Sequence, residues 1–116
     1  MPLPDKMEIE SFLKEFKLKM ETFDIFFLRR EKNEQALYDL EITPQKRIEY
    51  LKKLKAEDYY RGPLNDAYDP ESLPFWEFGK EIKKKEVFIK ISLWKNKKVL
   101  CISFHIAEKK MSYPYK

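Results

Sequence analysis

Between residues 86 and 106 apolar and polar positions alternate. Val87, Ile89, Ile91 and Leu93 are apolar, and after Asn96-Lys97 the alternation resumes at Leu100, Ile102, Phe104 and Ile106. A period of two is the pattern of a half-buried strand. With Asn96 and Lys97 as the loop of a hairpin, Val87 is predicted to face Ile106, Ile89 to face Phe104, Ile91 to face Ile102 and Leu93 to face Leu100. A one-residue slip would bury the polar set instead, so this register is strongly specified. The opposite face then pairs Phe88 with His105, Lys90 with Ser103 and Ser92 with Cys101. Residues 75–82 continue the pattern as a third strand. With Lys84-Lys85 as its turn, Phe78 faces Ile91, Trp76 faces Leu93 and Ile82 faces Val87, while Glu77, Gly79 and Glu81 join the polar face. A three-stranded meander is expected.

The first half of the chain follows the helical period. Ile9, Phe12, Leu13, Phe16 and Met20 recur at three- and four-residue spacings and predict an amphipathic helix over residues 6–20. Residues 23–28 form an aromatic, β-branched run with few charges, which suits a short buried strand. A charged turn, Arg29-Arg30-Glu31-Lys32, precedes a short helix over residues 33–40. Thr43-Pro44 then supplies an N-cap and a first-turn proline for a second long helix running to Lys55. Residues 62–74 gather Gly62, Pro63, Pro70, Asn65, Asp66, Asp69 and Ser72 and are predicted to be loop. The fold expected is α+β, with N-terminal helices packed on a small antiparallel sheet that ends in the C-terminal meander. The tail over residues 107–116 is basic and aromatic and has no period.

Composition narrows the picture. A chain of 116 residues fits one domain over 1–116. With 43% hydrophobic, 38% charged and 16% aromatic residues, a compact core inside a charged shell is expected. A net charge of +4 tilts the chain toward phosphate-bearing or acidic partners. The single cysteine excludes an internal disulfide, and one histidine with one cysteine makes a structural zinc site or other metal unexpected. No apolar run approaches the roughly 20 residues that span a bilayer, and residues 1–10 lack a secretory apolar region, so no membrane association and a cytoplasmic location are expected.

The predicted polar sheet face collects Glu77, Glu81, Phe88, Lys90, Ser103 and His105. A histidine titrating near neutrality, a carboxylate to orient it and a lysine to stabilise a developing phosphorane are the groups that cleave RNA by acid/base chemistry. The 2′-hydroxyl is then the nucleophile, and no cofactor is needed. The plainer reading is a solvated sheet face, which carries Glu, Lys and Ser in alternation anyway. The basic runs at 46–55, 83–85 and 95–98 either keep turns and a helix face solvated or flank a groove for an RNA backbone. In the second case Phe88, Tyr59, Tyr60 or Trp94 would stack on bases. Cys101 falls on the polar face by parity, yet is better read as a packed thiol than as a nucleophile.

The succession EDYYRGPL (57–64), FWEFGK (75–80), EVFIKISL (86–93) and CISFHIAE (101–108) resembles the MqsR family of toxins from bacterial toxin-antitoxin systems. The resemblance covers the C-terminal half in motifs and the helical half in order of elements. It implies a RelE-like α+β fold, cleavage of mRNA without a metal, and silencing by a cognate antitoxin. Carried over by motif, the family's lysine after Asp-Phe-Tyr falls on Arg61, its glutamine after tryptophan on Glu77 and its strand tyrosine on Phe88. The lysine two positions later is kept as Lys90, and the lysine closing Ser-Phe-Lys becomes His105. The expected catalytic set is therefore His105, Lys90, Arg61 and Glu77, with Phe88, Tyr60, Lys80 and Glu81 as RNA contacts. Glu77 or Glu81 would orient the histidine or the attacking hydroxyl. The alternative is a non-catalytic module that uses the same basic, aromatic face to bind nucleic acid or protein.

Overall fold

A computed structural model of the chain describes residues 3–65, 73–94 and 98–116. Helix α1 (Lys6–Phe23) begins at Asp5, whose side chain accepts a hydrogen bond from the Glu8 N–H at 2.8 Å, satisfying one of the free first-turn donors. It buries the predicted stripe of Ile9, Phe12, Leu13, Phe16 and Met20. Asp24, at φ 93°, then turns the chain into strand β1 (Ile25–Phe27). Helix α2 (Glu31–Asp39) follows. Helix α3 (Pro44–Lys52) has the expected start, with Thr43 Oγ1 accepting from the Lys46 N–H at 3.1 Å. It ends sooner than expected, because the Lys53 and Leu54 N–H groups bond three residues back, to Tyr50 and Leu51, and tighten the last turn. A single turn, Ala56–Asp58, leads to the sheet.

Strands β2 (Tyr59–Leu64), β3 (Phe75–Ile82), β4 (Lys85–Ser92) and β5 (Val99–Ile106) lie antiparallel in chain order, and β1 adds to β5 in parallel. The sheet order is β1-β5-β4-β3-β2. The expected meander is thus enlarged to a five-stranded mixed sheet. Residues 62–64, predicted as loop, belong to β2; an edge strand tolerates Gly62-Pro63 because only one of its sides has to donate to the ladder. Within the predicted loop, residues 66–72 lie outside the described residues, as do the 95–97 part of the basic run and its Asn96-Lys97 turn.

The β4–β5 register holds as predicted for Val87–Ile106, Phe88–His105, Ile89–Phe104 and Lys90–Ser103 and then shifts by one, so that Ile91 faces Cys101 and Ser92 faces Leu100. A bulge at Ile102 causes the shift, reversing the faces beyond it. Val99 and Cys101 are fully buried in the core, while Leu100 and Ile102 are half-buried. Cys101 is therefore not on the polar face. The bulge is held from outside the sheet by Asn33 of α2, which is 3% exposed. Its Nδ2 donates to the carbonyls of Leu28 at 3.0 Å and Ile102 at 2.9 Å, and its Oδ1 accepts from the Phe104 N–H at 3.0 Å.

The β3–β4 turn is Lys83-Lys84, at φ 50° and 69°, the pair of positive values that a two-residue turn between twisted strands requires. This moves the register by two from the predicted one, placing Trp76 opposite Ile91 and Phe78 opposite Ile89. An even shift leaves every side chain on its predicted face. The core lies between the helices and one sheet face, where Phe12 stacks on Trp76 with ring centroids 4.6 Å apart.

Burial in that core pushes the Cys101 thiol up to about 12. The folded chain then keeps a proton that the unfolded chain loses above about pH 8.5, so this group's contribution to stability declines as pH rises from there toward 12. Native protein at pH 8 is expected to resist a thiol-specific reagent that labels the denatured chain stoichiometrically; rapid native labelling would contradict the buried position.

Candidate active site

The register sets the polar-face residues in rows across the sheet. Arg61 of β2, Glu77 of β3, Lys90 of β4 and Ser103 of β5 form one row of direct cross-strand partners. Gly79, Phe88 and His105 form the next. Arg61 reaches this face because the β2 register shifts between Tyr59 and Arg61; without the shift, alternation would send it the way of Tyr59, which is 1% exposed in the core. Gly62 makes the next step, at φ 122° with the β3 backbone close against it: a Cβ there would meet the Phe75 carbonyl and Trp76 Cα at 3.1 Å.

Above these rows lies a cavity of about 330 Å³ lined by Tyr60, Arg61, Phe88, Lys90, Ser103 and His105 from the sheet and by Arg30, Lys32, Ala107, Glu108, Lys109 and Met111 around its rim. Five cations and one carboxylate face it, so its potential favours an anion. His105 is half-buried, with its ring centroid 5.5 Å from that of Phe88. Its Nδ1 lies 2.9 Å from the Ile106 carbonyl oxygen. A carbonyl only accepts, so Nδ1 carries the proton and the neutral ring keeps its lone pair on Nε2.

The carboxylates are placed otherwise than expected. Glu77 is 3% exposed and pairs with Arg61 Nε, a bond that raises the pKa of the guanidinium; Arg61 also lies 5.2 Å from the Tyr60 ring centroid. Glu77 therefore positions Arg61. It stands two strands across and one row along from His105, about 12 Å between backbones. Glu81 is exposed one row further along, opposite Glu86, and does not line this cavity. Lys80 projects to the other side of β3, where its Nζ lies 3.4 Å from Asp58. Neither Lys80 nor Glu81 belongs with His105.

The rim residues were not among the sequence candidates. Arg30 and Lys32 read as a charged turn, and Glu108, Lys109 and Met111 lie in the tail without a period. Lys32 and Glu108 form an ion pair at 2.8 Å. The Glu108 carboxyl sits below its ordinary value, through the hydrogen bond and charge of Lys32. Both partners are exposed, so the pair adds little stability. Lys90 extends over Phe75, with Nζ 3.9 Å from the ring centroid, and remains on the cavity wall.

Among the described residues no group of three or more His, Cys, Asp or Glu is placed to hold a metal ion, and no helix is long and apolar enough to cross a membrane. Compared with known proteins, the chain matches no family model, no curated protein and no solved structure.

Proposed function

We propose that this protein is a metal-independent endoribonuclease of the MqsR and RelE kind, acting on RNA in the cytoplasm and neutralised by a cognate antitoxin. The observation that carries the reading is one cavity in which the only histidine meets Arg61, Lys90, Phe88 and Tyr60. Phe88 offers a stacking surface for a base, and Arg61 and Lys90 receive the scissile phosphate. His105 Nε2 takes the proton of the 2′-hydroxyl as its oxygen attacks phosphorus. The 5′-oxygen leaves as a hydroxyl protonated by solvent water, the His105 imidazolium gives its proton back to solvent, and the ends formed are a 2′,3′-cyclic phosphate and a 5′-hydroxyl. Glu77 serves by fixing the Arg61 fork. The resemblance of the sequence motifs to the toxin family points the same way, and the α+β architecture is compatible with a RelE-like fold.

Incubation with defined RNA in the presence of a chelator tests this. Cleavage to cyclic-phosphate ends is expected, with none when the scissile nucleotide carries 2′-deoxyribose. Intact RNA, or equal cleavage of the deoxy substrate, would rule the reading out. A non-catalytic binding module is the second reading. It is favoured by the engagement of Glu77 with Arg61, which leaves His105 without the carboxylate partner expected for it; saturable, salt-dependent RNA binding without products would establish it.

A further inference from the structure

The chain turns back across the polar face after β5. The Ala107 N–H donates to the Glu86 carbonyl at 2.8 Å, the Met111 N–H reaches Glu86 Oε1 at 3.4 Å, and the Tyr113 hydroxyl donates to Glu86 Oε2 at 2.7 Å. Farther on, the Tyr115 hydroxyl donates to the Pro4 carbonyl, and its ring stands edge-on to Tyr59 with centroids 6.0 Å apart. Met111 is 7% exposed. Glu86 therefore ties this segment to the strand that carries Phe88 and Lys90, and to the same face. These bonds also give the Glu86 carboxylate donors where it stands opposite Glu81, a like-charge pair that is otherwise unfavourable.

Gly79 is the seat. It lies in the row of Phe88 and His105 and is the position there without a side chain. Its backbone is ordinary strand, so no unusual φ demands glycine. A Cβ would overlap the Tyr113 hydroxyl oxygen and approach two of its ring carbons at 2.8 Å. The segment walls the His105 cavity with Ala107, Glu108, Lys109 and Met111. Beyond it lies a separate hollow of about 410 Å³ that Gly79, Glu86, Lys84 and Tyr113 help to line. Residues 107–116 thus separate the His105 cavity from a second hollow, which also takes in Lys80 and Asp58 from the other side of β3.

We infer that Tyr113 is a specificity-determining residue. By seating the segment on Gly79 it ends the nucleotide-binding face at Phe88 and His105, so that a bound strand runs out toward the Arg61–Ser103 row and not toward the Lys83-Lys84 turn. The inference rests on the RNA reading above and adds a limit on which end of the RNA can extend. Without the partition a strand would continue into the second hollow, where Lys84, Lys110 and Lys116 stand beside Glu81 and Glu86.

Tyr113→Ala and Gly79→Ala unseat the segment from opposite sides, one by removing the ring and the other by filling its seat. The probe is an uncleavable trinucleotide with 2′-deoxyribose throughout, and the same core lengthened at its 5′ or its 3′ end, titrated by fluorescence anisotropy at several salt concentrations. The wild type is expected to gain affinity from extension at one end only. Both variants are expected to gain at both ends, with the slope of log K against log salt steepening by about 0.7 for each added phosphate contact. Tyr113→Phe keeps the ring on Gly79 and is expected to retain the one-ended profile, and Gly79→Ala carries the test should Tyr113→Ala unfold. One-ended gain in the two alanine variants, two-ended gain in the wild type, or no binding by the wild type would each overturn the inference. Because no probe is cut, a one-ended profile that becomes two-ended in both alanine variants sustains the partition even if ribo-substrates prove uncleaved, a result that removes only the enzyme reading.

Discussion

His105→Ala is expected to lower metal-free RNA cleavage by about 10²–10⁴-fold while leaving affinity for uncleavable RNA within about threefold, the size of effect a positioned acid/base group supplies. The split follows from the geometry. In the proposed mechanism phosphate affinity would come from the five cations that line the cavity, which the substitution leaves in place. Proton transfer depends on Nε2, whose lone pair is set by the Nδ1–H bond to the Ile106 carbonyl. His105→Gln separates chemistry from packing, because an amide can still donate toward that carbonyl but cannot shuttle a proton. Both variants are expected to be inactive with unchanged melting temperature. Cleavage by His105→Ala at the wild-type rate would remove the mechanism, and equal loss of binding and cleavage would recast His105 as a contact residue.

Asn33→Leu is expected to destabilise the fold by about 3 kcal/mol, since three backbone groups lose their partner and each buried orphan costs about 1–3 kcal/mol, partly relieved where water enters. For a domain of this size that is a fall of roughly 10–15 °C in melting temperature. The groups are the Leu28 and Ile102 carbonyls and the Phe104 N–H, which lie where β5 continues past its last bonds to β1. Amide exchange at Phe104 should accelerate more than at Ile89, its partner across the hairpin. A drop of less than about 1 kcal/mol, the worth of a single ordinary hydrogen bond, would show that Asn33 is not the clamp on the bulge.

The same residue marks how far the sequence could be read. Alternation placed Phe88, Lys90, Ser103 and His105 on one face and paired them correctly, because hydrophobic burial on a period of two specifies parity. It also placed β1 within residues 23–28 and the buried stripe of α1. Alternation could not reveal the bulge at Ile102, which depends on a helix residue remote in sequence, and Cys101 was assigned to the wrong face for that reason. Strand β2 was hidden by Gly62-Pro63, whose usual reading is a turn and whose use here depends on lying at the sheet edge. In the candidate site, parity gathered Phe88, Lys90, Ser103 and His105, whereas Arg61 joins them through a register shift in β2 that alternation does not show. The cavity rim comes from Arg30, Lys32 and the tail, segments whose positions follow from tertiary packing rather than from any period. Glu77 showed its face but not its role, since nothing in the spacing says which cation a carboxylate will hold.

The parallel pairing of β1 with β5 also sets an order of folding. Ile25 finds Val99, and Phe27 finds Cys101, only when the last strand is present, so this edge closes the longest loop in the sheet. The β3–β4 hairpin and α1 are local and can form early, whereas β1 lacks its strand partner and α2 its main packing partner until β5 is in place. Loop closure of that length slows the final step. A chain emerging from a ribosome would therefore carry its first strand unpaired until the last was made, and the cavity, whose residues come from both halves, would be assembled last.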